Sequence, residues 1–143
     1  MSTALEASGK TKIANLDYNI ASLLCYLPVF GINFFASVLF FFTEPKESKL
    51  VRFHALQSLV FMVATVVLFV LLTVISTVLS IVLGMIDPTG GYLVMIVSLV
   101  SSLLFLGFGL AVLVLDIFAL YRAYQGQIFR IPVVGQLADR MTG

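Results

Sequence analysis

The stretch that decides the fold is LVFMVATVVLFVLLTVISTVLSIVL, residues 59–83. Eighteen of its positions are Leu, Ile, Val or Phe, and none is charged. Each of these residues favours insertion into a bilayer by about 0.3 to 0.6 kcal/mol, so the stretch as a helix gains roughly 7 kcal/mol. A helix needs about 20 residues to cross the hydrocarbon core, and this stretch therefore predicts a transmembrane helix.

Two further stretches are equally free of charge. Asp, Glu, Lys and Arg are absent from residues 18–43 and 88–115, as they are from residues 53–86. The chain is 61% hydrophobic and 10% charged, with a mean hydropathy of +1.14, which leaves too little polar surface for a soluble fold. We predict an all-α integral membrane helical bundle with three transmembrane helices, at about residues 18–43, 55–84 and 92–120.

The first of these segments is irregular. Pro28 and Gly31 fall in its middle, with Asn33 just after them. Because proline removes a helical hydrogen bond and clashes with the preceding turn, we expect the first helix to be kinked or broken there. A complete break would give a four-helix arrangement, with two halves of about 13 residues that are each too short to span.

The basic residues predict the orientation of the membrane domain, residues 18–125. Two lie in the polar N-terminal segment, residues 1–17, three in the first connection, none in the second, and three after the third segment. By the positive-inside rule, the first connection and the C-terminal tail, residues 126–143, are cytoplasmic. Three full spans put Lys10 and Lys12 outside, whereas a re-entrant first segment puts every basic residue inside. Residues 1–17 do not resemble a cleaved signal peptide, so we expect the first segment to be retained.

Small and hydroxyl-bearing residues recur at helical spacing on the second and third segments. Such residues let helices approach closely in lipid, and their hydroxyls can bond across the contact. We interpret them as a helix seam rather than as a hydrophilic conduit. The predicted seam contains Thr73, Ser76, Thr77, Ser80, Gly84, Ser98, Ser101 and Ser102.

Asp116 is the acid inside the third apolar stretch, and an ionisable residue there calls for a functional hypothesis. Its distance from Tyr92 places it near the cytoplasmic boundary, where Arg52 and His54 of the second segment should also lie. We expect Asp116 to pair with one of them and fix the helix register; the alternative is a proton or substrate site. The predicted cytoplasmic-face polar cluster contains Arg52, His54, Gln57, Asp116 and Arg122.

Catalytic and metal-binding patterns are absent from the sequence. It has no Ser-His-Asp triad, phosphate loop or paired carboxylates, and the lone His54 lacks a second ligand at metal spacing. The single Cys25 excludes an intrachain disulfide, and a net charge of +1 gives no footprint for nucleic acid. We therefore expect a protein that is not an enzyme and holds no cofactor or metal.

Two motifs resemble those of a bacterial family of small membrane proteins. Residues 52–58, RFHALQS, match its F-H-A-x-Q signature, and residues 121–126, YRAYQG, followed by FRIP at residues 129–132, match its closing segment. Residues 19–24 fit its opening. This Tic-like family is similar to the small multi-span subunit of the chloroplast Tic import complex, and it includes MamF-like proteins of the magnetosome membrane.

The resemblance implies a helical membrane protein without catalytic residues. We expect a non-enzymatic subunit or accessory component of a larger membrane complex, in contact with the lipid bilayer and with other membrane subunits or further copies of itself. The first alternative is a protein-translocation or transport channel component. The second is an accessory subunit of a photosynthetic or respiratory complex that contacts pigment or lipid. The expected location is the bacterial inner membrane, as a multi-pass protein.

Overall fold

A computed structural model describes residues 9–29, 31–87, 91–131 and 134–142. Its elements are the helices α1 (Tyr18–Leu24), α2 (Ile32–Thr43), α3 (Lys49–Ile86), α4 (Tyr92–Tyr124) and α5 (Val134–Thr142). The chain forms two compact units. Unit 1 contains Met1–Met62 and Val114–Gly143, and unit 2 contains Val63–Leu113. The predicted all-helical class is confirmed for the part of the chain that is described.

Helices α3 and α4 are long and apolar enough to cross a membrane. They contain 38 and 33 residues, which corresponds to about 57 and 50 Å at a rise of 1.5 Å per residue. Both therefore exceed the roughly 30 Å of hydrocarbon in a bilayer. The third apolar element, α2, is shorter at 12 residues, so the count of three spans stays a prediction.

The first apolar segment is broken, as predicted, between α1 and α2. Pro28 has no N–H, so the Leu24 carbonyl lacks its helical donor and receives only a long 3.4 Å bond from the Leu27 N–H. Gly31 then opens α2 with a φ of +73°, a left-handed conformation that glycine adopts without steric cost. Helices α1 and α2 pack against each other.

The described part of the N-terminal segment is folded onto the connection between α2 and α3. The Tyr18 N–H donates to the Gly9 carbonyl at 3.0 Å and closes a loop. The Lys12 N–H donates to the Glu44 carboxylate at 2.9 Å, and the Tyr18 hydroxyl lies 3.0 Å from Ser48 Oγ. Residues 9–17 and the connection between α2 and α3 therefore lie side by side in unit 1.

The C-terminal tail contains α5, a helix that is not predicted from the sequence. Ala138 on α5 is buried and packs with Phe53 and Leu56 at the start of α3. Gly135 lies against the chain before it, since a Cβ there would come within 2.8 Å of Arg130 Cα. The absence of a side chain at Gly135 thus lets α5 lie close to Arg130 within unit 1.

Candidate functional site

The predicted polar cluster lies in unit 1, with His54 at its centre. His54 is fully buried; its Nε2 lies 3.2 Å from the Gln127 carbonyl oxygen, and its Nδ1 lies 3.2 Å from the Tyr26 hydroxyl. Because a carbonyl oxygen only accepts, we assign the proton of the neutral imidazole to Nε2. The Tyr26 hydroxyl then donates to Nδ1. His54 thus ties the break after α1 to the turn after α4.

Two serines bind the main-chain oxygen that the break leaves free. The Val29 N–H, which would bond to the Cys25 carbonyl in a continuing helix, instead bonds to the Leu27 carbonyl. Ser58 Oγ and Ser37 Oγ both donate to the Cys25 carbonyl. A buried carbonyl without donors would cost about 1–3 kcal/mol, so these hydroxyls stabilise the break.

Arg52 lies at the other end of this region and also binds the main chain. Its guanidinium donates to the carbonyl oxygens of Phe41 at 3.1 Å and Glu44 at 2.9 Å, and it lies over the Phe41 ring. The Glu44 carboxylate, itself buried, accepts from the Lys12 N–H and from Ser48 Oγ. Arg52 therefore holds the end of α2 against the start of α3.

Asp116 does not make the predicted pair with Arg52 or His54. In the described ranges the Arg52 guanidinium bonds to carbonyl oxygens, and both ring nitrogens of His54 are engaged. The half-buried Asp116 carboxylate lies instead close enough to the Tyr26 hydroxyl to interact with it electrostatically. The predicted register-fixing pair is thus replaced by contacts between side chains and the main chain.

Gln57 and Arg122 complete the cluster. Gln57 is fully buried, and neither Oε1 nor Nε2 makes a hydrogen bond of good geometry within the described residues. Arg122 donates to Gln127 Oε1 at 2.5 Å and lies over the Phe118 ring. His54 thus bonds to Tyr26 and shares Gln127 with Arg122, while Arg52 bonds to other carbonyls.

This site contains four residues that the sequence pattern did not identify. Tyr26, Ser37, Ser58 and Gln127 were not among the predicted cluster, although Ser58 closes the quoted motif. The position of Tyr26, two residues before a mid-segment proline, could have identified it as a group at a helix break. Gln127 binds His54 through its main-chain oxygen, for which no side-chain pattern gives a signal.

In unit 2 the predicted seam is narrower than expected. Ser76 Oγ donates to Ser101 Oγ at 2.7 Å and joins α3 to α4, and Gly84 lies opposite Val94. Ser80 is half-buried and bonds to the Ser76 carbonyl. The remaining members are exposed because the helical period turns them away from this contact: Thr73, Thr77, Ser98 and Ser102.

The chemistry of these groups is mainly that of donors to the main chain. His54, Ser37, Ser58 and Arg52 all donate to carbonyl oxygens near helix ends or turns. Among the described residues there is no group of three or more His, Cys, Asp or Glu that could hold a metal ion. The arrangement stabilises helix ends. Gln57 and Asp116 take no part in these bonds to the main chain.

Three relatives resemble this chain over most of its length. The UPF0132 membrane protein MJ1443 of Methanocaldococcus jannaschii is 37% identical over 132 residues, which cover 92% of this chain and 94% of the relative. A UPF0132 membrane protein of Archaeoglobus fulgidus is 33% identical, covering 87% and 95%. The UPF0132 membrane protein MJ1527 of M. jannaschii is 30% identical, covering 87% and 70%. No solved structure matches the chain.

The match to a family model supports the MamF-like part of the resemblance carried by the sequence motifs. The matching relatives are archaeal, so the expected bacterial origin and the relation to Tic proteins are not confirmed. Residues 13–138 match the model of the MamF/MmsF family, described as the magnetosome magnetite crystal formation protein family. With two helices able to cross a bilayer and relatives of this kind, the chain is a small membrane protein that belongs to the MamF/MmsF family.

Proposed function

We propose that the protein is a non-enzymatic subunit or accessory component of a larger membrane assembly, built with other membrane proteins or with further copies of itself. The observation that carries this proposal is that the polar side chains of unit 1 bind main-chain carbonyls. His54, Ser58 and Arg52 donate to main-chain carbonyls. Groups engaged in this way stabilise a scaffold and are poorly placed to act as nucleophile or general base.

The contacts in unit 1 favour a re-entrant first segment over a full span. Lys12 and Tyr18 precede α1, yet they bond to Glu44 and Ser48, which follow α2. A chain that enters with α1 and returns with α2 brings these residues together, and helices of 7 and 12 residues suit such a hairpin. We therefore favour α3 and α4 as the spanning helices, with the N-terminus, the first connection and the C-terminus in the cytoplasm.

This topology can be tested with single cysteines and a membrane-impermeant maleimide. In a Cys25→Ser background, Glu47→Cys reports the first connection and Tyr92→Cys the second. We expect Lys12→Cys to be labelled from the same side as Glu47→Cys and from the side opposite to Tyr92→Cys. Labelling of Lys12→Cys together with Tyr92→Cys would instead establish three full spans.

A translocation channel, as in the Tic import complex, is the weaker proposal. Two spanning helices are too few to enclose a pore within one copy, and in unit 2 the groove between α3 and α4 is lined mainly by apolar side chains such as Leu72, Ile75 and Phe105. The Ser76–Ser101 bond joins the two helices at this level. These features favour packing over conduction. The alternative of a pigment-binding subunit is also weaker, because both ring nitrogens of His54 are already bonded within the protein.

Copurification tests the subunit role. The tagged full chain is isolated from its native membrane in mild detergent at its natural expression level, and the copurifying proteins are identified by mass spectrometry. We expect a discrete assembly of fixed composition that survives chemical crosslinking in the membrane before extraction. An unrelated two-span protein with the same tag serves as the control. A lone monomer by crosslinking in the membrane and by native mass spectrometry would contradict the proposal.

A further inference from the structure

We propose that the surface at the C-terminal end of α2 binds an anionic phospholipid, with the headgroup at Lys12, Lys46 and Lys49 and an acyl chain along the exposed face of α2. The proposal goes beyond the subunit role and does not depend on it. All of the residues involved belong to unit 1, so their arrangement is a property of that unit.

The three lysines lie around one buried carboxylate and form a lysine patch. The Lys12 N–H donates to Glu44 Oε1 at 2.9 Å, and Ser48 Oγ donates to Glu44 Oε2 at 3.2 Å. Lys46 is two residues after Glu44, and Lys49 directly follows Ser48. These hydrogen bonds join the N-terminal segment to the connection between α2 and α3, so lysines that are distant in sequence share one surface, where all three are exposed.

The lysine patch keeps a positive charge. Together with Arg52, whose guanidinium bonds to the Glu44 main-chain oxygen, it has four cationic side chains against the two acids Glu44 and Glu47. Glu44 is buried, and its carboxylate already accepts two hydrogen bonds. Asp17 lies opposite Lys10 in an isolated β-bridge. The exposed ammonium groups of the patch are compact point charges that suit a phosphate group.

An apolar stripe on α2 leads away from the lysine patch. Phe35, Leu39 and Phe42 are spaced by four and three residues, so they share one face of the helix, and their exposed fractions are 70%, 43% and 77%. The opposite face carries the buried Ser37 and Phe40. The stripe is about 10 Å long at a rise of 1.5 Å per residue, and it offers an acyl chain a continuous apolar surface.

The depth of the patch suits a headgroup. Lys49 is six residues before position 55, where the predicted span begins, which corresponds to about 9 Å along α3. The headgroup layer adds roughly 5–8 Å to each side of the hydrocarbon core, and long lysine side chains reach toward it. Basic clusters at this level recognise anionic lipids.

The combination of charge and apolar surface favours a lipid over other occupants. A second copy of the chain would place its own lysine patch against this one, and like charges oppose such a contact. A soluble acidic protein would match the lysines but would leave the apolar stripe uncovered. An anionic phospholipid satisfies both parts, because its phosphate and its acyl chain are joined in one molecule.

Native mass spectrometry of the full chain in detergent tests the proposal directly. The chain is incubated with equal amounts of phosphatidylglycerol and phosphatidylcholine that carry identical acyl chains. We expect wild type to retain at least about fivefold more phosphatidylglycerol, and Lys46→Gln/Lys49→Gln to retain the two lipids equally. Lys10→Gln/Arg140→Gln removes the same charge at exposed positions outside the patch and should keep the wild-type preference. Glycerol 3-phosphate, which lacks acyl chains, should not displace the lipid.

Thermal unfolding separates loss of the site from loss of the fold. Phosphatidylglycerol should raise the unfolding midpoint of wild type above its value in phosphatidylcholine. Lys46→Gln/Lys49→Gln should match wild type in phosphatidylcholine and should gain nothing from phosphatidylglycerol. Equal retention of the two lipids by wild type, or a preference that survives in this variant, would overturn the proposal. Displacement of the lipid by glycerol 3-phosphate or by poly-glutamate would also overturn it, in favour of a soluble anion or an acidic protein.

Discussion

Replacement of His54 by alanine should lower the unfolding midpoint of the protein by about 10 °C, corresponding to roughly 3 kcal/mol for a chain of this size. The imidazole is fully buried and packs edge-on against the rings of Tyr26 and Phe53. Its removal leaves a cavity and two unpaired polar groups, the Tyr26 hydroxyl and the Gln127 carbonyl. Both contributions act in the same direction, which makes the expected loss large.

The reaction of the single cysteine with a maleimide measures the unfolding midpoint. Cys25 is buried, so a maleimide dye that fluoresces on reaction with a thiol reports unfolding in detergent without any added label site. Tyr26→Phe removes one hydrogen bond and no ring, and we expect a loss of about 1 kcal/mol. Lys49→Ala, at an exposed position in the same helix, should change stability by less than about 0.5 kcal/mol. A midpoint for His54→Ala equal to that of Lys49→Ala would refute a structural role for the imidazole.

The long helices and the break between α1 and α2 could be predicted from the sequence because each depends on local properties. Apolar runs such as residues 59–83 insert as helices whatever their neighbours. Pro28 lacks an N–H in any context. The contact between Ser76 and Ser101 could also be predicted, because helical spacing and the short connection place both serines at similar depths on antiparallel helices.

The partners of the polar residues could not be predicted in the same way. Charge complementarity suggested that Arg52 or His54 would meet Asp116, but the broken segment and the turns supply main-chain carbonyls that compete for the same donors. Free carbonyls arise only where a helix stops, and their location depends on the three-dimensional path. The helix α5 was missed for a related reason, because its docking depends on the close approach of Gly135 to Arg130 rather than on a long apolar pattern.

Close packing of small residues is the second feature on which the fold of unit 1 depends, and Ala119→Leu should disrupt it. Ala119 on α4 is fully buried in one cluster with Ala21 on α1 and Ala55 on α3. Small residues at such a contact let helix backbones approach closely. Three added carbon atoms have no space there, and overpacking of this kind costs about 1–3 kcal/mol or more. We expect a lower unfolding midpoint and faster reaction of Cys25 with maleimide at 25 °C, since Cys25 belongs to the same cluster.

Ala111→Leu is the matched control, because it makes the same change on the same helix at an exposed position. Helix propensity differs little between alanine and leucine, and a larger apolar side chain facing lipid or detergent carries no packing penalty. Its midpoint and Cys25 reactivity should therefore equal those of wild type. A combination of Ala119→Leu with Ala55→Gly, which vacates space in the same cluster, should recover part of the loss if overpacking is its cause. Equal midpoints for Ala119→Leu and Ala111→Leu would show that α1, α3 and α4 separate easily at this level, and the close contact would then contribute little to the stability of unit 1.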